Sequence, residues 1–334
     1  MSTPDLRRMP LALAVLLVAS AACAACSDDG SSRAADSAPP VDSAAADTRA
    51  PDSAPADAAS DAAAPADQQV PPDGAAPDKG TSNATDFTKA GPKAVNEASG
   101  SLAVSGCSLA YTLYTPAVTT TQPLVVLGHG FTRTAANVAD VAKHIASFGV
   151  RVVTPTYCGA DHAKNAQDAV ALSQQLAQGS KVIHAGHSAG GLSAVLAAGQ
   201  DSAAIAVLGL DLTDAADAAL KAAPGITVPG LGLVGEPSAC NANGNGRTVF
   251  KSMPKGELIR VVNGSHCDFE APSGALCGLL CGGADAARAL LSRALAAAFI
   301  AWQAGVDASG QQWVTPGGSE RARLAQSGVI QSVP

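Results

Sequence analysis

Lys181-Val182-Ile183-His184-Ala185 runs directly into Gly186-His187-Ser188-Ala189-Gly190-Gly191, and an Ala- and Leu-rich stretch continues to Gly199. A short apolar run, then G-x-S-x-G, then a helical stretch spells a sharp strand-to-helix turn that lifts the Ser hydroxyl out of the backbone. Gly on either side removes Cβ atoms that would collide in so tight a turn. The following helix begins at the Ser, so its first amides face any anion formed there. The competing reading is a small-residue helix start in which Ser188 is only an N-cap.

The elbow sits in a repeating pattern. Residues 124–127, 151–154, 181–184, 205–210, 230–234 and 258–262 are short apolar runs of the kind expected for parallel strands covered on both faces. Residues 102–104 and 109–114 alternate and read as edge strands. Helical stretches fall between them at 135–148, 164–178, 188–199 and 285–302. Strands alternating with helices predict the α/β class, a mostly parallel central sheet with helices on both faces.

The rest of the chain reads differently. Arg7 and Arg8 precede an apolar core at 11–18, and small residues lead to Cys23 and Cys26. The run is shorter than the roughly 20 residues a spanning helix needs, so residues 1–26 are expected to be an export signal. Ala-Ala-Cys after the apolar core resembles a lipobox, which implies a lipid anchor at Cys23 or Cys26 on the bacterial cell envelope; without lipidation the chain is simply secreted. In residues 27–96 twelve Asp stand against five Lys or Arg, a net of −7 that equals the charge of the whole chain. Large apolar side chains are almost missing there, so this segment is expected to be a disordered Ala/Asp/Pro/Ser linker. The catalytic-type domain is placed at 97–309 and a wrapped or frayed tail at 310–334. Residues 97–334 hold 14 basic and 15 acidic side chains, which argues against a nucleic-acid partner. A monomer is expected, touching membrane only through its anchor.

Six cysteines remain, Cys107, Cys158, Cys240, Cys267, Cys277 and Cys281. An even number in an exported chain reads as disulfides of open connectivity. Zinc at Cys267, Cys277 and Cys281 beside His266 is disfavoured, because no Cys-x-x-Cys pair is present. A bridge from Cys240 to a later cysteine would pin residues 236–253, a Gly- and Asn-rich stretch that reads as a flap over the site.

Acyl transfer by Ser needs a base, an acid and two oxyanion donors. His266 is the one His downstream of the elbow; His187 immediately precedes Ser188, and the other four lie further upstream. Asp211 and Glu236 each end a strand and can present a carboxylate to it; spacing does not choose between them. Asp214 is a third candidate for the acid, read in preference as an N-cap for residues 215–220. The amides of Phe131, in Gly128-His129-Gly130-Phe131-Thr132, and of Ala189 are the expected oxyanion hole. His129 is expected to hold its loop in place by hydrogen bonding. Neither metal nor organic cofactor is called for.

Together, Gly128–Thr132, Gly186–Gly191 and Gly264-Ser265-His266 resemble the α/β-hydrolase superfamily over most of residues 97–305. Residues 130–154 are similar to bacterial cutinases and polyester (PET) hydrolases, and residues 205–213 and the His266-Cys267-Asp268 turn resemble chlorophyllases. The chlorophyllase resemblance implies Asp211 as the acid; the cutinase resemblance implies Glu236. Ala189 and Leu212 stand where chlorophyllases usually have Arg and Pro, so the resemblance carries the mechanism and not the chlorophyll substrate. The implied function is a serine carboxylic-ester hydrolase with a Ser188-His266-Asp211 triad, acting on an ester of unspecified size. The alternative is a non-catalytic surface-displayed binding domain on the same scaffold.

Overall fold

A computed structural model describes residues 85–104, 106–117 and 122–333 of the chain. The expected export signal, Cys23, Cys26 and most of the expected linker lie outside the described residues.

Nine strands form one sheet: β1 (Val95–Val104), β2 (Cys107–Pro116), β3 (Leu124–Gly128), β4 (Arg151–Thr156), β5 (Val182–His187), β6 (Ala204–Leu210), β7 (Gly230–Val234), β8 (Gly256–Val261) and β9 (Ile330–Ser332). Their order is β1-β2-β4-β3-β5-β6-β7-β8-β9. Strands β4 through β8 are joined by parallel pairings, while β1–β2, β2–β4 and β8–β9 are antiparallel. The protein is thus α/β with a mostly parallel sheet. Every residue of β3, β5 and β7 is buried, which is why these segments are continuous apolar runs and do not alternate.

Helices cover both faces. On one face α1 (Ala139–Ser147) lies with the long C-terminal helix Ala286–Gln303; Val125, Leu127, Ile183, Leu208 and Leu233 point into that layer. On the other face α2 (His162–Ala177) packs over Leu124, Val126, Val153 and Val182. Beside it α3 (Ala189–Gln200), α4 (Ala218–Ala222) and α5 (Gly246–Ser252) cover Val207, Val234 and Leu258. Phe250 of α5 fills the space left by two glycines on neighbouring strands. A Cβ at Gly209 would lie 2.7 Å from its ring, and one at Gly232 would lie 2.6 Å away. Helix α6 (Ala275–Cys281) precedes that long helix, labelled α7 (Ala286–Gln303), and a short pair follows it, α8 (Gln311–Val314) and α9 (Ser319–Gln326).

Two boundaries differ from the sequence reading. The folded body begins before residue 97: Phe87 is fully buried, 4.7 Å from Phe148 and 5.7 Å from Trp313 by ring centroids. Of the two readings of the C-terminal segment, wrapped or frayed, residues 310–333 follow the first and belong to the folded body: α8 and α9 bury Trp313, Val314 and Leu324, and β9 extends the sheet beside β8. Trp313 Nε1 donates to the Thr85 carbonyl at 3.1 Å, so the two ends of the described body close on each other. Each of these elements is too short to show a period of its own; docking on the finished core orders it.

Candidate active site

Strand β5 ends at His187 and α3 starts at Ala189, leaving Ser188 alone at the bend with φ 56° and ψ −125°. That backbone conformation is costly for a residue with a Cβ, by about 1–3 kcal/mol, and persists only when its surroundings enforce it. Here they do. A Cβ at Gly186 would meet the Gly190 backbone at 2.2 Å, and one at Gly190 would meet the His129 carbonyl at 2.5 Å. These bare glycines let residues 128–130 lie directly across the elbow; a Cβ at Gly130 would lie 3.2 Å from that of Ser188. Ser188 N–H donates to Leu210 O at 3.0 Å, and Ser188 O accepts from Gly191 N–H at 2.9 Å. The Phe131 amide donates to no backbone carbonyl among the described residues, and the Ala189 amide is the first of α3, where helical amides have no carbonyl a turn earlier to bond.

Asp211 follows β6 directly, at φ 44°, and is buried. His266 opens the short turn His266–Phe269 after β8, and its Nδ1 donates to Asp211 Oδ2 at 2.6 Å. The Asp211 carboxylate also accepts from Gly235 N–H at 2.9 Å and from Asn241 Nδ2 at 3.0 Å. Glu236 goes elsewhere: Oε2 accepts from Arg260 Nη1 at 3.0 Å and Oε1 from Asn263 N–H at 2.9 Å. The imidazole therefore faces Asp211, and of the two carboxylates left open by spacing only this one bonds it. Asp214 accepts from the amides of Ala219 and Leu220, both at 3.0 Å, as a helix cap would. Ser188 Oγ makes one hydrogen bond among the described residues, a long one of 3.5 Å to Thr213 Oγ1. It is not hydrogen-bonded to His266, whose ring lies against that of the adjacent His187 with centroids 4.5 Å apart.

His187 Nε2 donates to the His266 carbonyl at 3.1 Å, which fixes its tautomer. Its Nδ1 is buried without a hydrogen-bond partner among the described residues, and Glu270 Oε2 lies 3.8 Å away. Burial, and then the positive charge of a protonated His266, holds the His187 imidazole well below the usual value, so it stays neutral. Glu270 is itself wholly buried and accepts from Arg133 Nε at 3.0 Å. This ion pair ties the loop that carries Phe131 to the segment following His266. His129 bonds Gly130 O through Nδ1 at 2.8 Å and accepts from Tyr157 N–H through Nε2 at 3.0 Å. It holds the loop between β3 and β4 in place.

Beside the elbow opens a cleft of about 240 Å³, walled by Gly130, Phe131, Tyr157, His162 and Ala189. Phe131 is 53% exposed at its lip.

The six cysteines form three disulfides, Cys107–Cys158, Cys240–Cys281 and Cys267–Cys277. Cys267, Cys277 and Cys281 do bring their sulfurs within 4.8 Å of one another, but all three are joined in disulfides and offer no thiolate. The Cys240–Cys281 bridge pins the segment after Glu236, as expected. That segment is not a flap, because Asn241, Val249 and Phe250 within it are buried. Sequence reasoning missed Asn241, His187 and the Arg133–Glu270 pair. Only the neighbourhood of Cys240 hinted at the first; the others depend on contacts across more than 70 residues. Compared with protein-family models and with curated proteins, the chain matches none.

Proposed function

We propose that this chain is a serine hydrolase of carboxylic esters, built on the α/β-hydrolase fold. One observation carries the reading: the strained Ser188 elbow and the His266–Asp211 pair lie together at the carboxyl ends of β5, β6 and β8. Open α/β sheets place their chemistry at that edge. The strand order, with its antiparallel first hairpin, and the chain order Ser, acid, His support the same fold.

In this reading an ester enters the cleft with its carbonyl oxygen between the Phe131 and Ala189 amides. The Ser188 hydroxyl exchanges its long bond to Thr213 for His266 Nε2, gives up its proton there and attacks the carbonyl carbon. Hydrogen bonds to reacting groups are often long before substrate binds and tighten in the complex. Asp211 holds the Nδ1–H tautomer and favours the imidazolium. The two amides take the negative charge of the tetrahedral intermediate. The imidazolium then protonates the departing alcohol, and water repeats the sequence on the acyl-enzyme. Glu236 has no part in it.

Export belongs to the proposal, since three disulfides fit an oxidising compartment. The anchor at Cys23 or Cys26 is tested by metabolic labelling with a palmitate analogue.

The deciding experiment measures p-nitrophenyl ester turnover and fluorophosphonate labelling for the native chain and Ser188→Ala. The substitution is expected to abolish labelling and to lower turnover by about 10⁶, the loss typical when one member of such a unit is removed. A native chain that neither turns over esters nor takes the label is instead a binding domain.

A further inference from the structure

Asn241 is fully buried, and no step of the proposed mechanism uses it. We infer that Asn241 is a positioning residue: it holds the Asp211 carboxylate in line with His266, from a loop that disulfides tie to the base. The inference rests on Asp211 and His266 being the acid and base of the proposed esterase.

Every polar atom of the Asn241 side chain is engaged. Nδ2 donates to Asp211 Oδ2 at 3.0 Å and to Glu236 O at 2.8 Å, with Asp211 Oδ1 at 3.3 Å. Oδ1 accepts from Ser238 N–H at 2.8 Å and Gly244 N–H at 2.9 Å. These partners fix which way the amide points. The flipped amide would set its oxygen against a carboxylate and a carbonyl, and its NH₂ against two N–H groups. Asn241 thus does two separable things. Its oxygen gathers the loop 238–244, and its nitrogen clamps the acid.

The clamp has a covalent backing. Cys240, the preceding residue, is bonded to Cys281 at the end of α6. Cys277, one turn earlier on α6, is bonded to Cys267, the residue after His266. The holder of the acid and the base itself are therefore joined through one short helix by two disulfides. The inner bridge is buried at both cysteines, whereas Cys240 and Cys281 are partly exposed.

Asn241→Asp separates the two tasks. It is nearly isosteric and keeps an oxygen for the Ser238 and Gly244 amides, yet it replaces the donor facing Asp211 by an acceptor. On p-nitrophenyl butyrate, kcat is expected to fall ten- to a hundredfold with KM within twofold of native. The acidic limb of kcat/KM is expected to move to higher pH, because an added negative charge near the imidazole favours its protonated form. The far-downfield proton resonance of His266 Nδ1 in the resting protein is expected to shift. A folded Asn241→Asp protein with native kcat, limb and resonance would overturn the inference, since loop-holding alone leaves all three unmoved. If that variant fails to fold, Cys240→Ser/Cys281→Ser leaves Asn241 in place and removes only its backing. It is expected to lose at least threefold in kcat and to broaden or shift the same resonance; no change in either overturns the inference. Inertness of the native chain toward esters and fluorophosphonate counts against the esterase reading alone, and the resonance still tests the clamp.

Discussion

Replacing Arg133 by Met removes the cation from a pair whose two members are unequally placed. Glu270 has a side chain 0% exposed, while Arg133 is 14% exposed on the cleft wall. Without Arg133, the Glu270 side chain keeps, among the described residues, only Ser273 Oγ at 3.4 Å and His187 Nδ1 at 3.8 Å, and it is 0% exposed. Stranding a buried charge in this way costs about 3–5 kcal/mol. At about 2–4 °C per kcal/mol for a domain of this size, the melting midpoint should fall by about 6–20 °C. The reverse substitution, Glu270→Gln, leaves a guanidinium that the cleft can hydrate, and should cost about 1 kcal/mol, the scale of one ordinary hydrogen bond. Arg133→Met/Glu270→Gln should be more stable than Arg133→Met alone, with a coupling of up to about 3 kcal/mol. Urea and thermal unfolding of the four proteins at pH 8, without reductant and followed by circular dichroism, measure all of this. An Arg133→Met protein within about 1 kcal/mol of native, or a Glu270→Gln protein less stable than it, would refute the argument that burial sets the cost.

Three other outcomes are expected. Burial holds His129, His144, His162 and His187 below the ordinary value of 6.5, His187 furthest. The unfolded chain therefore binds protons below about pH 6.5 that the folded chain excludes, so stability is intact above that pH and falls on acidification. For fully buried His187 the loss is up to about 1.4 kcal/mol per pH unit, and equal urea midpoints at pH 8 and pH 5.5 would contradict it. Asp211→Asn should lower ester turnover by about 10⁴ while Glu236→Gln stays within a fewfold of native, and the opposite ranking would move the acid to the other strand. Phe87→Ala should destabilise by about 3–5 kcal/mol in thermal denaturation, because the ring is enclosed by Phe148 and Trp313. A loss under about 1 kcal/mol would return residues 85–96 to the linker.

The parallel core was legible because burial on both faces forces continuous apolar runs; the stretches read at 230–234 and 205–210 fall within a residue of β7 and β6. Helix limits were read to within about two residues for α2, α3 and α7, where Asp or Ser marks a start. The start of α1 was not, since residues 135–138 form a separate 3₁₀ turn. The elbow was legible for a local reason: its glycines are adjacent in sequence to the residue whose conformation they permit.

What the sequence determined by itself is whatever depends on neighbours along the chain: the α/β class, the strand-turn-helix at Ser188, and the small set of carboxylates and imidazoles able to serve it. Only the tertiary structure decided which carboxylate bonds His266, how the cysteines pair, that Asn241 clamps Asp211, and that Thr85 and Trp313 close the body. Those outcomes are pairings across 10 to more than 200 residues. Each depends on distance and direction in space, and local propensity carries no record of either.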